Sequence, residues 1–292
     1  MSSFRIRSND PIAPSVFRME VEAPDIAKYR RAGQFVIVHP SGGRERIPLT
    51  IADADPVAGT ITLVYQVVGR TTAEMALLPA GGDLGDVAGP LGKPTHVENF
   101  GTVVCVGGGI GVAPSHPIAQ AMKSAGNRVI SILGARTADL IIMEREMRLA
   151  SDDVICVTDD GSYGRKGLVT DALKDLLDDP SAPVNLVVAI GPPVMMKAVS
   201  ELTRPYGVKT FVSLNTVMID GTGMCGGCRV TVGGKTKFVC VDGPEFDGHG
   251  VDFDGMMRRQ RMYSADEKVS YQAFLKEHGC RLEERIRELK RG

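Results

Sequence analysis

Apolar and polar residues alternate in short bursts through the first third of the chain. "FRMEVEAP", "QFVIVHP", "IPLTIAD" and "TITLVYQVV" are β-rich, with Gly, Pro, Asn and Asp between them. That spacing predicts a small antiparallel barrel or sandwich over residues 1–97. From residue 101 the texture changes. "TVVCVGGG", "RVISILGA", "DVICVTDDG" and "VNLVVAIGPP" are continuous apolar runs, as expected for strands buried on both faces. "APSHPIAQAMKSAG", "ADLIIMEREMRLA", "GLVTDALKDLL" and "VMMKAVSELTRPYG" follow them as helices. Strand and helix in alternation predict a doubly wound parallel sheet over 98–212. A glycine- and cysteine-rich segment (213–263) and a charged tail (264–292) complete the chain. Ser264 and Glu267 have capping-box spacing at the start of the tail. Phe274, Leu275, Leu282, Ile286 and Leu289 form one apolar stripe, which predicts a helix packed on its own chain rather than on a partner.

Composition narrows the function classes. A net charge of −1 lacks the basic surplus of a nucleic-acid binder. No run of eighteen apolar residues occurs and "MSSFRIRSND" has no signal-like core, so a soluble, cytoplasmic protein is expected. Six cysteines in such a chain do not read as a disulfide framework. Cys105 and Cys156 sit in apolar strands and are expected to be buried thiols; Cys280 is isolated. Five scattered histidines (His39, His96, His116, His249 and His278) read as surface or packing residues.

Candidate chemistry begins at "VVCVGGGIGVAPSHPI". Gly107, Gly108, Gly109 and Gly111 lie between a buried strand and a helix, where backbone N–H groups can meet a pyrophosphate. The usual third glycine is replaced: Gly109-x-Gly111-x-x-Pro114 ends in a proline suited to a first helical turn. Glycine in this loop also serves a tight turn with no ligand. "TDDGSYG" and "IGPPVMM" follow two further sheet strands, at the ends where such sheets bind ligands. Thr158, Asp160 and Gly161 are candidates for ribose or amide contacts, and equally for a self-contained polar turn.

A β-barrel followed by these G-x-G-x-x-P, T-x-D-G and G-P-P motifs resembles the ferredoxin–NADP⁺ reductase superfamily. The resemblance implies that the barrel binds FAD (or FMN) and the α/β domain a nicotinamide nucleotide. In "ERIPLTI" it implies that Arg46 and Thr50 touch the flavin, with Pro48 and Leu49 where an aromatic residue usually stacks. Tyr65 and the "GRTT" of Gly69, Arg70, Thr71 and Thr72 complete the implied flavin set, while Gly108, Gly109, Ile110, Gly111, Pro114, Gly191 and Pro192 form the implied nucleotide set. Ile190-Gly191-Pro192 stands where many members carry Cys-Gly-Pro. Arg136 is a candidate for a 2′-phosphate or for capping a turn, and Asp159 and Asp160 oppose such a phosphate; the expectation is NAD(H), with NADP(H) left open.

The remaining motif is Asp220-x4-Cys225-x2-Cys228-x11-Cys240. It reproduces plant-type [2Fe–2S] spacing, C-x4-C-x2-C with a distant fourth ligand, but with aspartate first. Zinc held by Cys225, Cys228, Cys240 and His249, a Cys-Gly-Gly-Cys dithiol, and a plain turn are the alternatives.

Flavin barrel, nucleotide domain and cluster segment in that order resemble two subunit families. One is the electron-transfer subunit of heteromeric dihydroorotate dehydrogenases, whose first cluster ligand is cysteine. The other is the small subunit of NADH-dependent ferredoxin:NADP⁺ oxidoreductase, also known as a sulfide dehydrogenase subunit, which "DGTGMCGGCRVTV" and "FVCVDGPEFDGH" match better. The resemblance implies electron transfer between NAD(H), FAD and [2Fe–2S], with a larger flavin and [4Fe–4S] subunit as partner and ferredoxin reached through it. The expectation from another class is a non-catalytic redox-sensing or zinc-binding module on the same fold.

Overall fold

The computed structural model describes residues 4–40 and 45–287. Alternating apolar residues give β1 (Phe4–Ala13), β2 (Val16–Glu22), β3 (Phe35–His39), β4 (Ile47–Asp55) and β5 (Thr60–Gln66), with α1 (Pro24–Tyr29) and α2 (Arg70–Ala76) between strands. Two short strands, β6 (Asp83–Leu84) and β7 (Asp86–Leu91), finish this unit. The sheet is antiparallel, in the order β6-β1-β2-β5-β4-β3-β7. Its edge strands β6 and β7 are consecutive in the chain, so the sheet curls into a near-barrel. Phe17, Met19, Ile51, Ile61 and Leu63 fill its interior.

One detail of pairing matters below. Residues 47–50 of β4 pair with β3, and residues 51–55 pair with β5. The first half of β4 therefore has a single ladder neighbour. That is why Pro48, which has no N–H to donate, is tolerated opposite Ile37.

The second sheet is built from β8 (Thr102–Gly108), β9 (Arg128–Ala135), β10 (Asp153–Thr158), β11 (Arg165–Lys166), β12 (Leu186–Ile190) and β13 (Lys209–Ser213). Its helices are α3 (Val112–Ser124), α4 (Glu144–Ala150), α5 (Val169–Asp178) and α6 (Pro193–Thr203). The order β11-β10-β9-β8-β12-β13 reverses at β8 and β12, the doubly wound pattern predicted. Predicted helix 138–150 is shorter than expected. Met143 takes a left-handed φ of 53° and delays the α-helix to Glu144.

After β13 come the hairpin β14 (Arg229–Val232) and β15 (Lys235–Phe238), α7 (Val239–Asp242), β16 (Glu245–Asp247) and α8 (Phe253–Gln260). β16 crosses back and pairs antiparallel with β13, as the last strand of the parallel sheet. The cysteine-rich segment is thus sewn into the nucleotide-type sheet, and one core runs from Ile37 of the barrel through Val212 to Val230 and Cys240.

The tail is a single helix, α9 (Ser264–Arg287). Phe274 and Leu282 are buried against the barrel core, with Leu275 and Ile286 beside them; Leu289 lies outside the described residues. Arg285 donates to the Asn9 and Ala76 carbonyls and lies over the Phe17 ring. The stripe packs on its own chain, as the spacing implied. The capping box does not form: Ser264 Oγ donates back to the Arg261 carbonyl, and Glu267 N donates to the Tyr263 carbonyl. Among the described residues, no helix is long and apolar enough to cross a membrane.

Candidate active site

A cleft of about 1050 Å³ opens between the barrel and the parallel sheet. Its barrel wall is the one-sided stretch of β4, with Arg46, Pro48, Leu49 and Thr50, together with Thr72 from α2. Backbone groups on the unpaired side of that stretch are free to meet a planar ligand. Tyr65 backs this wall, but its hydroxyl donates into the barrel to Asn9 Oδ1 at 2.9 Å and its ring stacks on Phe17 at 5.8 Å. Burial pushes that phenol up, so it stays neutral.

Three residues suited to a phosphate carry carboxylate partners. Arg46 pairs with Asp86 at 3.2 Å, Arg70 with Glu74 at 2.8 Å, and Thr71 Oγ1 donates to Glu45 at 2.8 Å. Gly69 starts α2, and Thr72 Oγ1 closes the turn by accepting from the Gly69 N–H.

Across the cleft, the loop after β8 presents Ile110, Gly111 and Pro114, and the end of β12 presents Ile190 and Gly191. Most glycines here are set by packing. A Cβ on Gly111 would stand 2.1 Å from the Ile190 carbonyl oxygen, and one on Gly108 would stand 2.3 Å from Met195 Sδ. Gly109 differs: nothing lies near its would-be Cβ, and its φ of +54° is what favours glycine. Pro114 sits in the first turn of α3, as its chemistry predicts. Pro192 precedes α6, and its carbonyl accepts the N–H groups of Met195 and Met196.

Arg136, Thr158, Asp160 and Gly161 are not part of the cleft wall. Thr158 is fully buried, donating to the Tyr163 carbonyl at 2.7 Å, and Asp160 accepts from the Ser162 N–H and hydroxyl. Those two bonds hold the Asp160 carboxyl below its ordinary range. This is the self-contained polar turn named above as the alternative. Arg136 is exposed just beyond β9.

The cleft also has walls that the motifs did not mark. Asn215, Thr216 and Ile219 line it ahead of the cysteine loop, and Tyr263, just before α9, lines it with Asp266 and Ser270 of α9. Asp266 and Ser270 look in sequence like the polar face of a surface helix; only the tertiary path brings them here. Glu245 is a second omission. It accepts from Thr95 Oγ1 where barrel, sheet and cysteine segment meet, and burial pushes it from 4.5 to about 7. Buried Cys105 and Cys156 are pushed up, to about 12 and about 11, by burial first.

The cysteine loop gathers Asp220, Cys225, Cys228 and Cys240 as two pairs. Asp220 Oδ1 is 2.9 Å from Cys225 Sγ, and Cys228 Sγ is 3.2 Å from Cys240 Sγ. Bonds from Cys225, Thr222 and the Met224 N–H hold the Asp220 carboxyl well below the usual range. The N–H of Gly227 points at Cys225 Sγ (3.4 Å) and that of Cys240 at Cys228 Sγ (3.5 Å). Gly226 turns the chain between the cysteines with a φ of +66°. Among the described residues, no three His, Cys, Asp or Glu side chains surround one ion-sized point. Two pairs suit a two-iron cluster, in which each iron needs two protein ligands; a single zinc needs all four around one centre. His249 does not join them, since its Nε2 is 3.0 Å from Thr203 Oγ1.

Comparison with known proteins agrees. Residues 215–252 match the iron–sulfur cluster binding domain of dihydroorotate dehydrogenase B, and residues 105–201 match the oxidoreductase NAD-binding domain. The chain is 49% identical, over 92% of its length and 94% of the relative, to a dihydroorotate dehydrogenase B (NAD(+)) electron transfer subunit homolog of Thermotoga maritima. It belongs to that electron-transfer-subunit family. The dihydroorotate dehydrogenase B electron transfer subunit of Fusobacterium nucleatum is 32% identical over 85% of this chain and 97% of its own. Among solved structures, a chain of the NADH-dependent reduced ferredoxin-NADP oxidoreductase, studied for flavin-based electron bifurcation, superimposes with a TM-score of 0.89. It is 44% identical over 94% of this chain and 99% of that one. Phthalate dioxygenase reductase, at 17% identity and a TM-score of 0.55 over 79% of this chain and 86% of its own, shares the fold alone.

This family member is therefore an NAD-binding oxidoreductase with an iron–sulfur-binding domain and a flavin-reductase fold. The zinc-site and non-catalytic expectations are corrected on those matches.

Proposed function

We propose that this chain is the small subunit of an electron-bifurcating NADH-dependent reduced ferredoxin:NADP⁺ oxidoreductase. In this reading it holds FAD, a [2Fe–2S] cluster and NAD(H), and it docks on a larger flavin and [4Fe–4S] subunit that deals with ferredoxin. The observation that carries it is the ligand pairing, Asp220 with Cys225 and Cys228 with Cys240, in a chain similar over 94% of its length to the bifurcating enzyme's subunit.

A flavin takes up a hydride from a nicotinamide and releases electrons singly, so it joins a two-electron donor to an iron–sulfur centre. The chain's residues divide the work around that chemistry. Pro48, Leu49 and Thr50, backed by Tyr65, would hold the flavin ring. Arg46, with Gly69, Arg70, Thr71 and Thr72, takes the flavin phosphates once Asp86, Glu74 and Glu45 give way. Gly108, Gly109, Ile110, Gly111 and Pro114, with Gly191 and Pro192, would hold the nicotinamide nucleotide across the cleft. Exposed Arg136 and Asp160 act at the distal nucleotide end, where Asp160 favours a free 2′-hydroxyl over a 2′-phosphate, while buried Thr158 and the left-handed Gly161 hold the turn that carries Asp160. Residues 1–97, 98–212, 213–263 and 264–292 serve as the working divisions. Met224 and Ile219 are exposed around Cys225, which makes the tip of the loop the exit toward the partner.

A second reading, electron-transfer subunit of a dihydroorotate dehydrogenase or a sulfide dehydrogenase, is favoured by the 49% relative. Asp220 as first ligand counts against the dihydroorotate version. The test is purification of the full chain, flavin identification after release, iron and acid-labile sulfide assay, and anaerobic titration with NADH. FAD that bleaches with NADH, beside equal iron and sulfide, is expected. A colourless protein carrying zinc would overturn the proposal.

A further inference from the structure

The turn between Cys225 and Cys228 is held from outside by two guanidinium groups. Arg259, on α8, donates from Nη2 to the Gly227 carbonyl at 3.1 Å. Arg229, the first residue of β14, donates from Nη1 to the Gly226 carbonyl at 3.4 Å. Those carbonyls belong to the two residues that separate the cysteines. The Gly226 carbonyl shares its peptide group with the Gly227 N–H, which points at Cys225 Sγ at 3.4 Å. Arg229, one peptide unit and the Cys225 sulfur thus form a hydrogen-bonded chain. Donation to the carbonyl end of a peptide strengthens the donor at its other end.

Charge adds to this. Among the described residues neither arginine has a carboxylate partner, whereas Arg30, Arg128 and Arg148 are each ion-paired. Arg258 stands with them around a cavity of about 400 Å³. Asp252 also lines that cavity, with its Oδ1 engaged by the Gly255 N–H. Arg259 is half-buried and Arg229 exposed, so salt screens Arg229 more. Four anionic ligands around two irons leave a net negative charge that grows by one on reduction. Fixed positive charge and hydrogen bonds at the ligands favour the reduced form, and both are recognised determinants of cluster potential.

We propose that Arg259 and Arg229 are positioning residues of the metal loop that raise the reduction potential of the cluster held there. Arg259 acts through its charge; Arg229 acts chiefly through the Gly226–Gly227 peptide. The inference rests on the iron–sulfur reading of this loop given above.

The test uses the full chain carrying its cofactors, with the cluster potential read by spin resonance during redox titration. Arg259→Gln, Arg259→Lys and Arg229→Gln are compared with the wild type, each with iron and sulfide assayed. Arg259→Gln is expected to hold its cluster and shift the potential downward, and Arg259→Lys to restore most of the shift. Arg229→Gln is expected to give a smaller downward shift. Unchanged potentials at full cluster content overturn the inference. Should Arg259→Gln lose its cluster, Arg229→Gln decides: a lower potential supports the inference and an equal one overturns it. Wild-type protein without iron and sulfide instead overturns the cluster reading on which the inference stands.

Discussion

The molecule carries two glycine-rich loops, and glycine serves mainly a different end in each. At the end of β8 and in the loop after it, neighbours leave no room for a Cβ at Gly107, Gly108 and Gly111: at Gly111 it would press on the Ile190 carbonyl. In the cysteine loop, Gly226 has its nearest outside atom at 3.7 Å and is fixed by a φ of +66°. The first loop is shaped by packing against β12 and α6. The second is shaped by backbone turns and by polar bonds to Asp220, Cys225, Arg229 and Arg259. Composition alone does not separate the two, because contact and torsion are properties of the fold.

The contrast can be broken at the packed loop first. Gly111→Ala forces a Cβ into backbone, and a loss of at least about 3 kcal/mol is expected, the upper part of the overpacking range. Urea unfolding would read it, and a loss below about 1 kcal/mol would mean that the loop yields. Next in size is a pH effect from Glu245 of β16, the strand that follows the cysteine loop. Glu245 has its carboxyl raised from 4.5 to about 7, so the stability it contributes is full below about pH 4.5 and is lost as pH rises to about 7. That gap corresponds to roughly 3 kcal/mol. Glu245→Gln should therefore be more stable than wild type at pH 8 and equal to it at pH 4. A parallel pair of stability curves would refute this.

Gly226→Ala is expected to cost about 1–2 kcal/mol through its left-handed torsion. Its clearest sign would be lower iron content with thermal unfolding of the barrel little changed. Smallest in stability is Asp220→Cys, expected to keep the cluster and to move its reduction potential. An unmoved potential at full iron content argues against Asp220 as a ligand.

Much of this architecture was legible in the chain. Period-two runs located β2 to β5, and continuous apolar runs located β8, β9, β10 and β12. The ligand spacing marked Asp220, Cys225, Cys228 and Cys240, which the fold brings together. What escaped depends on long-range closure. β16 is three residues long, too short for a periodic signal, and the α9 wall of the cleft is set by Phe274 and Leu282 docking on a barrel that begins some 260 residues earlier in the sequence. In sequence, Thr158 and Asp160 suit ligand contacts and a turn equally, since the same hydroxyl and carboxylate serve either. Tertiary placement put their hydrogen bonds in the turn.

The strand that returns from the metal loop has one more consequence. β16 covers the outer side of β13, which would otherwise end the parallel sheet as an open edge. A chain cut after residue 212 would leave most of β13, Lys209–Ser213, as a bare template for pairing with other chains, so the shortened protein is expected to aggregate. The electron-carrying segment thus also acts as a guard on solubility, and it cannot be removed or exchanged as a free-standing cassette.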